Sequence, residues 1–382
     1  MEWKTYSIAE IGEVVGGGTP STSNSEFWGG DIPWITPKDL TGYYQIYISH
    51  GANFLTDKGL RAGTRLLPKD TILFSSRAPI GYIAIASNPI CTNQGFKSII
   101  CKKELVYPLF LYYYIKSNLD YFKIFGTGAT FPEISGTKMK KIKVSLPPLS
   151  IQRKIASILS AYDNLIENNN KRIKLLEQMA ETLYKEWFVR FRFPGYENVE
   201  KENGLPKGWK KTMLQEICEF QKGKNIAAYE MFEGDIPVIS AGLLPSGTHN
   251  KANVKGASIT ISSSGANAGY VSFHYSDIWA SDCSFVDTQH TEHIYFVYEV
   301  LNNMRNLIFN LQRGAAQPHV YPKDVNRLNI IVPNDIILHK ANKKLRVFHE
   351  EINSLQQQSQ LLIRQRDLLL PRLMSSKLEV KP

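Results

Sequence analysis

The segment from Ser150 to Arg192 contains neither glycine nor proline over 43 residues, and prolines stand on both sides of it. Within it, mainly apolar residues recur at alternating steps of three and four. That is the heptad pattern of a helix that packs lengthwise against another helix. At about 1.5 Å per residue, such a helix is roughly 60 Å long. The seam consists of Leu159, Tyr162, Ile166, Asn169, Ile173, Leu176, Ala180, Leu183 and Trp187.

A second segment, predicted to be helical over residues 334–373, repeats this seam 186 positions later. Two long helices with matched seams are expected to pair with each other as an antiparallel coiled coil, although a homodimeric coiled coil remains the alternative. Polar residues at Asn169, Ser359 and Arg366 are expected to fix the register. The second seam consists of Leu345, Phe348, Ile352, Leu355, Ser359, Leu362, Arg366, Leu369 and Leu373.

The remainder of the chain is an internal repeat. Residues 3–11 recur as 209–217, Gly30-Asp31-Ile32-Pro33 recurs as Gly234-Asp235-Ile236-Pro237, and Ser75-Ser76 recurs as Ser263-Ser264. Each copy opens with strand-like runs and closes with a helical pattern. The sequence therefore predicts an α/β protein with a pseudo-twofold repeat of domain and helix. The predicted boundaries are domains at 1–148 and 209–333, long helices at 149–193 and 334–373, a linker at 194–208 and a tail at 374–382.

Composition narrows the class of protein. The start of the chain shows no apolar signal region and no apolar run is long enough to span a bilayer, so we expect a soluble, cytoplasmic protein. The four cysteines form no CxxC pair, and the HxxH spacing of His290 and His293 has no matching second pair, so neither disulfides nor a metal site are expected. The net charge of +10 suits a polyanionic partner but does not by itself indicate nucleic acid.

Four short segments carry a family resemblance. The sequence LPPLSIQRKI at 146–155 is similar to the LPPLxxQxxI start of the first conserved helix in specificity subunits of type I restriction–modification systems. LYKEWFVRF at 183–191 resembles the end of that helix, LLLPRLMS at 368–375 resembles the family's C-terminal ending, and GTGATFPEI at 126–134 resembles the segment before the helix. One departure is Pro333-Asn334-Asp335, where the second helix starts without the PPL and the Gln. Contacts made by the start of the first helix are therefore not expected to be duplicated there.

The resemblance implies two mixed α/β target recognition domains and a non-catalytic role. The chain would bind double-stranded DNA and two modification subunits that methylate adenine with S-adenosylmethionine. It would also bind restriction subunits that use ATP and Mg, and would itself bind no cofactor. Because the two domain copies diverge while their helices keep phase, the DNA site is expected to be bipartite and asymmetric. A stand-alone DNA methyltransferase or nuclease and a protein-only coiled-coil scaffold are the alternatives. Gly16-Gly17-Gly18 is not followed by GK[ST], so it is not a P-loop.

Candidate DNA-contacting residues lie in the loops that the repeat matches, where base edges are read by Arg, Asn, Gln, Lys and short hydroxyls. Arg77 is the strongest of them, since Arg to guanine is the commonest specific contact. Selection of these residues for tight turns is the competing interpretation. The set is Ser76, Arg77, Asn93, Gln94, Lys97, Thr127, Thr130, Ser264, Asn267, Ser281, Asp282, Gln312, Arg313 and Gln317. Apolar residues off the first seam are predicted to dock a partner subunit, namely Ile151, Ile155, Ile158, Leu165, Leu175 and Met179.

Overall fold

The structure, a computed structural model, describes residues 3–128, 130, 132–314, 316–375 and 377–380. The chain divides into two compact units, the first made of residues 1–169 and 358–382 and the second of residues 170–357. Both boundaries fall inside the long helices. Each unit therefore consists of one globular domain together with a segment of each long helix.

The first unit is built on a five-stranded sheet in the order Gly12–Gly16, Lys97–Cys101, Ile72–Ser76, Ile80–Ala86 and Tyr47–Ile48. A second sheet contains Asn53–Leu55, Trp28–Ile35 and Cys91–Thr92, the last two parallel. Lys4–Ser7 and Lys143–Leu146 form an antiparallel pair. The α-helices of this unit before the long helix are Ile8–Ile11, Asp57–Gly63, Pro108–Ser117, Leu119–Lys123 and Gly136–Lys141.

The second unit repeats this arrangement. Its four-stranded sheet has the order Gln221–Lys222, Cys283–Asp287, Ser258–Ser262 and Val271–His274. Its three-stranded sheet contains Gly247–His249, Ile236–Ile239 and Trp279–Ala280, the last two again parallel. Lys210–Met213 pairs with Asn329–Val332, and a short hairpin joins Lys201–Glu202 to Leu205–Pro206. The α-helices before the second long helix are Ile294–Asn303, Arg305–Phe309 and Pro322–Asn326.

The predicted repeat is confirmed for the elements that lead into each long helix. The helix Pro108–Ser117 corresponds to Ile294–Asn303 and the strand Lys143–Leu146 to Asn329–Val332, each at the offset of 186 found in the sequence. In both copies the strand that contains the Ile-Pro of Gly-Asp-Ile-Pro runs parallel to a short strand of the same sheet. The mixed α/β class of both domains follows from these pairings.

The two long helices pair antiparallel within each unit. In the first unit Ile151, Ile155 and Leu159 share one core with Leu370 and Leu373. In the second unit Ala180 and Tyr184 share a core with segments of the second helix such as Ile337–Leu338, Ala341 and Leu345. No residue of either predicted seam is exposed, whereas most of the residues between seam positions are. The seam prediction is therefore confirmed.

The ends of the long helices differ slightly from the prediction. The first long helix is α-helical from Leu149 to Tyr184 and continues as a π-helical turn over Lys185–Val189. It therefore ends before residue 193. Phe191 adopts a left-handed φ of 58°, which breaks the helical path. The second helix runs from Asp335 to Met374 and passes through Pro371 in its last turn. None of the helices in the described part of the chain combines the length and apolar character that a bilayer span requires.

Candidate nucleic-acid interface

Three loops of the first unit meet at one place. They comprise residues 75–79, 92–97 and 126–134, of which 129 and 131 lie outside the described residues, and we name them the first loop cluster. The amide of Ser76 donates to the carbonyl of Gly95 at 2.7 Å, and the amide of Ile134 donates to the carbonyl of Ser76 at 3.0 Å. Backbone hydrogen bonds thus join the three loops that the sequence predicted, each on its own, to contact DNA.

Two cations of this cluster share one carboxylate. Glu133 accepts from the Lys97 ammonium at 3.1 Å and lies 3.5 Å from the Arg77 guanidinium. The Arg77 side chain is 39% exposed and that of Lys97 only 15%. One carboxylate against two cations leaves a net positive charge. Arg77 therefore has both the charge and the access to reach a nucleic acid.

Two other predicted residues of the first cluster have structural partners. The Ser76 side chain is fully buried and its hydroxyl donates to the Gly95 carbonyl at 3.1 Å, so it is not available to DNA. The Asn93 side-chain oxygen accepts from the Gly95 amide at 2.9 Å, which is an Asx-type turn. Ser76 and Asn93 therefore hold the loops together, in agreement with the competing interpretation that such residues are selected for tight turns.

The remaining predicted residues of this cluster are exposed. Gln94 accepts a hydrogen bond from the hydroxyl of Thr19, which comes from a fourth loop. Thr127 pairs through its backbone with Glu133, and its side chain faces solvent, as does that of Thr130. These three residues stay candidates for polar contacts around Arg77.

Three loops of the second unit meet in the same manner and form the second loop cluster, residues 263–267, 281–282 and 312–320, with 315 outside the described residues. The amide of Ser263 donates to the carbonyl of Asp282 at 3.2 Å, and the amide of Val320 donates to the carbonyl of Ser263 at 3.0 Å. By these bonds Ser263 takes the place of Ser76. The alignment of Ser75-Ser76 with Ser263-Ser264 is therefore wrong by one residue, because backbone pairing rather than residue identity sets the correspondence.

Most of the predicted polar side chains of the second cluster form hydrogen bonds within the protein. Ser264 is only 7% exposed and donates to the Asp282 carboxylate, while the Ser281 hydroxyl is buried and accepts from the Ile226 amide at 3.3 Å. The half-buried Gln312 donates to the Ala268 carbonyl at 2.8 Å. Ser264 and Ser281 thus lie too deep to contact DNA as the sequence predicted.

The outer side of the second cluster presents Arg313, whose side chain is 62% exposed and donates to the Asp324 carboxylate at 2.7 Å. Gln317 is exposed, and Asn267 is half-buried at the end of its loop. Asp282 is half-buried beside Ser264. The carboxylate of Asp282 stands where the first cluster has Gly95.

A fourth loop in each unit lies against the loop cluster, although the sequence did not predict it as part of the DNA-contacting site. The amide of Gly18 donates to the Thr92 carbonyl at 2.9 Å, and that of Gly223 donates to the Cys283 carbonyl at 2.8 Å. A Cβ on Gly17 would lie 2.0 Å from the Asn93 carbonyl oxygen, and one on Gly223 would lie 2.3 Å from that of Ser281, so both glycines are needed for close approach. In the second unit this loop carries exposed Lys222 and Lys224. The repeated glycine at an offset of 206 was the available signal.

The predicted docking residues separate into two groups. Ile151 and Ile155 are 4% and 1% exposed in the core of the first unit, so they are not part of an exposed docking surface, and Ile158 packs partly against the same core. Leu165, Leu175 and Met179 are 50%, 58% and 51% exposed. Only these last three are available to a partner.

The glutamine of the LPPLxxQ segment has a structural task. Gln152 is 1% exposed, accepts from the Tyr107 amide at 2.8 Å, and donates to the carbonyls of Leu105 and Pro147. In the second unit the equivalent position is Leu338, and Asn342 one turn later accepts from the Phe296 amide instead. The contacts of Gln152 are therefore not duplicated by the same residue, as expected from the sequence.

Known proteins resemble the chain over this whole arrangement. The family model described as the type I restriction modification DNA specificity domain matches residues 1–178 and 206–363. The chain belongs to this family. It is a type I restriction–modification specificity subunit, with two copies of the domain.

Individual relatives agree with this assignment. The specificity subunit of the type I restriction enzyme MjaIX of Methanocaldococcus jannaschii is 37% identical over 412 aligned positions, which cover 100% of this chain and 94% of the relative. The EcoR124I/EcoR124II specificity subunit of Escherichia coli is 30% identical and matches 52% of this chain and 50% of its own length. The crystal structure of an S subunit from M. genitalium has the same fold, with a TM-score of 0.68 at 18% identity, over 98% of this chain and 96% of that one.

Proposed function

We propose that this specificity subunit reads double-stranded DNA through its two loop clusters, each at one half of a bipartite site. The observation that carries the proposal is the convergence of three loops on Arg77, Lys97 and Glu133, with the Arg77 guanidinium exposed. A partly exposed guanidinium held beside a carboxylate is oriented and can exchange that partner for a guanine edge, which it contacts bidentately.

The proposal assigns different chemistry to the two halves. The first cluster offers Arg77 and Lys97, whereas the second offers Arg313 and Gln317 at its surface and the half-buried Asp282. A carboxylate accepts from the exocyclic amine of cytosine, while Arg donates to guanine. Two clusters with unlike donors and acceptors recognise unlike half-sites.

The proposal also assigns the chain no catalytic step. Methyl transfer from S-adenosylmethionine would belong to two modification subunits, and ATP- and Mg-dependent cleavage to restriction subunits. Leu165, Leu175 and Met179 are the exposed apolar residues of the first long helix that would dock a modification subunit. A stand-alone enzyme is the alternative, and turnover by the purified chain with cofactor and DNA would establish it.

The decisive experiment uses Arg77→Ala in the full chain. The preferred duplex is first selected from a random pool with the unaltered protein. Binding of that duplex and of its single-base variants is then compared. We expect Arg77→Ala to lose about 1–3 kcal/mol of discrimination at one base pair of one half-site.

The matched control is Arg65→Ala, because Arg65 is also a half-exposed arginine paired with a glutamate in the first unit but lies outside the loop cluster. Discrimination should be unchanged in this control. A uniform loss on every duplex for Arg77→Ala, with a salt slope reduced by about one, would assign Arg77 to a phosphate and contradict base reading.

A further inference from the structure

Two histidines and a glutamate from separate parts of the second unit meet at its surface. Glu292 and His293 precede the helix Ile294–Asn303, and His339 lies in the first turns of the second long helix. The ligand-type atoms of all three residues lie within 4.8 Å of one another. Glu292 Oε1 is 3.5 Å from Nε2 of His293 and 3.9 Å from Nε2 of His339.

We propose that Glu292, His293 and His339 form a binding site for a transition-metal dication of the Zn²⁺ class. Two imidazoles and one carboxylate are a donor set that Zn²⁺ accepts, with water in the fourth position of a tetrahedron. Metal–ligand bonds of about 2.0–2.1 Å place tetrahedral ligands about 3.4 Å apart. The separations of 3.5 and 3.9 Å to Glu292 are close to that value, so small side-chain rotations suffice.

The surroundings hold these ligands in place. Asn342, on the second long helix, donates to the Glu292 carbonyl at 2.9 Å and accepts from the Phe296 amide at 3.2 Å. The segment carrying Glu292 and His293 is thereby fixed to the helix that carries His339. Nδ1 of His293 is buried without a protein partner, which leaves Nε2, on the side of Glu292, as the nitrogen that an ion can reach.

The internal repeat identifies the residues of the first unit that correspond to His293 and His339. At the offset of 186, His293 corresponds to Tyr107 and His339 to Arg153, and the Arg153 guanidinium lies over the Tyr107 ring at 5.9 Å. The first copy thus joins its domain to its helix by a cation–π contact. In the second copy the same junction carries two imidazoles 4.9 Å apart, and a metal ion would provide the cross-link there.

The HxxH spacing in the sequence includes His293 but pairs it with His290 rather than with His339. His290 Nδ1 donates to the Asp287 carboxylate at 2.6 Å, and His290 is not one of the three ligands. The partner of His293 is His339, 46 positions later, which no local spacing indicates. The expectation of no metal site rested on that missing second pair, whereas the fold brings His339 beside His293.

The test is titration of the untagged full chain with zinc chloride, followed by calorimetry and by the thermal unfolding midpoint. We expect uptake of one Zn²⁺ per chain and a rise of the midpoint with Zn²⁺ concentration, and no such response to Mg²⁺, which prefers oxygen ligands. His339→Ala should weaken uptake at least about tenfold and remove the midpoint shift. This side chain is 59% exposed, so its truncation leaves the core intact.

The matched control is His50→Ala, which also removes one exposed imidazole but lies in the first unit. It should bind Zn²⁺ as the unaltered chain does. The proposal is overturned if the unaltered chain takes up no Zn²⁺, if His339→Ala binds it equally well, or if His50→Ala loses as much affinity as His339→Ala. Glu292→Gln provides a second variant, with 72% exposure, and should weaken uptake in the same direction.

Discussion

Neutralising Glu133 should strengthen DNA binding and weaken its sequence discrimination. In the structure this carboxylate pairs with both Lys97 and Arg77, so Glu133→Gln raises the charge of the first loop cluster by one and releases two cations. Each partly exposed pair is worth about 0.2–1 kcal/mol. The gain in affinity is therefore at most about 2 kcal/mol, or roughly thirtyfold. It should appear on every duplex, because a freed cation attracts phosphates of any sequence.

The assay is fluorescence anisotropy of a labelled duplex between 50 and 200 mM salt. One additional phosphate contact steepens the dependence of log affinity on log salt by about 0.9. Over this fourfold range, Glu133→Gln should therefore lose about 3.5-fold more affinity than the unaltered chain. Discrimination at the base pair assigned to Arg77 should fall, since Glu133 no longer orients the guanidinium.

The control is Glu13→Gln, which frees Arg65 from a comparable ion pair of the same unit outside the loop cluster. It adds the same net charge to the chain. A salt slope that is unchanged in Glu133→Gln, or is steepened equally in Glu13→Gln, would refute the assignment of the first loop cluster to DNA.

Three further predictions concern stability and assembly. Arg366→Met leaves the largely covered carboxylate of Asp163 without its ion pair and should destabilise the first unit by up to about 3 kcal/mol, measured by chemical unfolding. Gln152→Leu leaves a backbone amide and two carbonyls without this partner and should cost at least about 1–3 kcal/mol, with faster hydrogen exchange of that amide as the readout. Replacing exposed Leu175 and Met179 together by Glu should abolish co-purification with the modification subunit and leave the chain folded, whereas Leu361→Glu, an equally exposed change, should not.

The long helices could be predicted from sequence because their signal is local and periodic. Asn169 interrupts the seam and was expected to fix register. It is 2% exposed and donates to Gln358 at 2.8 Å and to Ser359 at 3.2 Å. The partner of Arg366 was not predictable. Apart from its chain neighbour Asp367, that partner is Asp163, which also accepts from the Tyr113 hydroxyl. Arg366, Asp163 and Tyr113 meet only once the helices pair and the domain packs on them.

The docking surface shows where periodicity stops being informative. Ile151, Ile155 and Leu175 all lie off the seam, so sequence alone treats them alike. The domain core of the first unit covers Ile151 and Ile155, while Leu175 remains exposed. Whether an off-seam residue is covered depends on contacts with residues far away in the chain. The same limit applied to Ser76, which is polar and was predicted to lie in a loop, but is fully buried at the end of the strand Ile72–Ser76.

The loop clusters could be located by the repeat, but their chemistry depends on the fold. Hydrogen bonds place Ser263 at the position of Ser76, so Arg77 is replaced by Ser264 in the second copy, and the neighbouring Gly95 is replaced by Asp282. The carboxylate of Glu133 has His319 as its counterpart, since each closes a backbone bridge, to Thr127 and to Arg313 respectively.

These exchanges remove the Arg77 guanidinium and the Glu133 carboxylate and leave a serine bound to an aspartate. A protein that read two identical half-sites would have no reason to invert donors and acceptors at matched backbone positions. From this inversion we infer that the two clusters recognise different base sequences. Arg77→Ser should then shift the first half-site toward the preference of the second, rather than abolish binding at both, as read from the duplexes that the variant selects from a random pool.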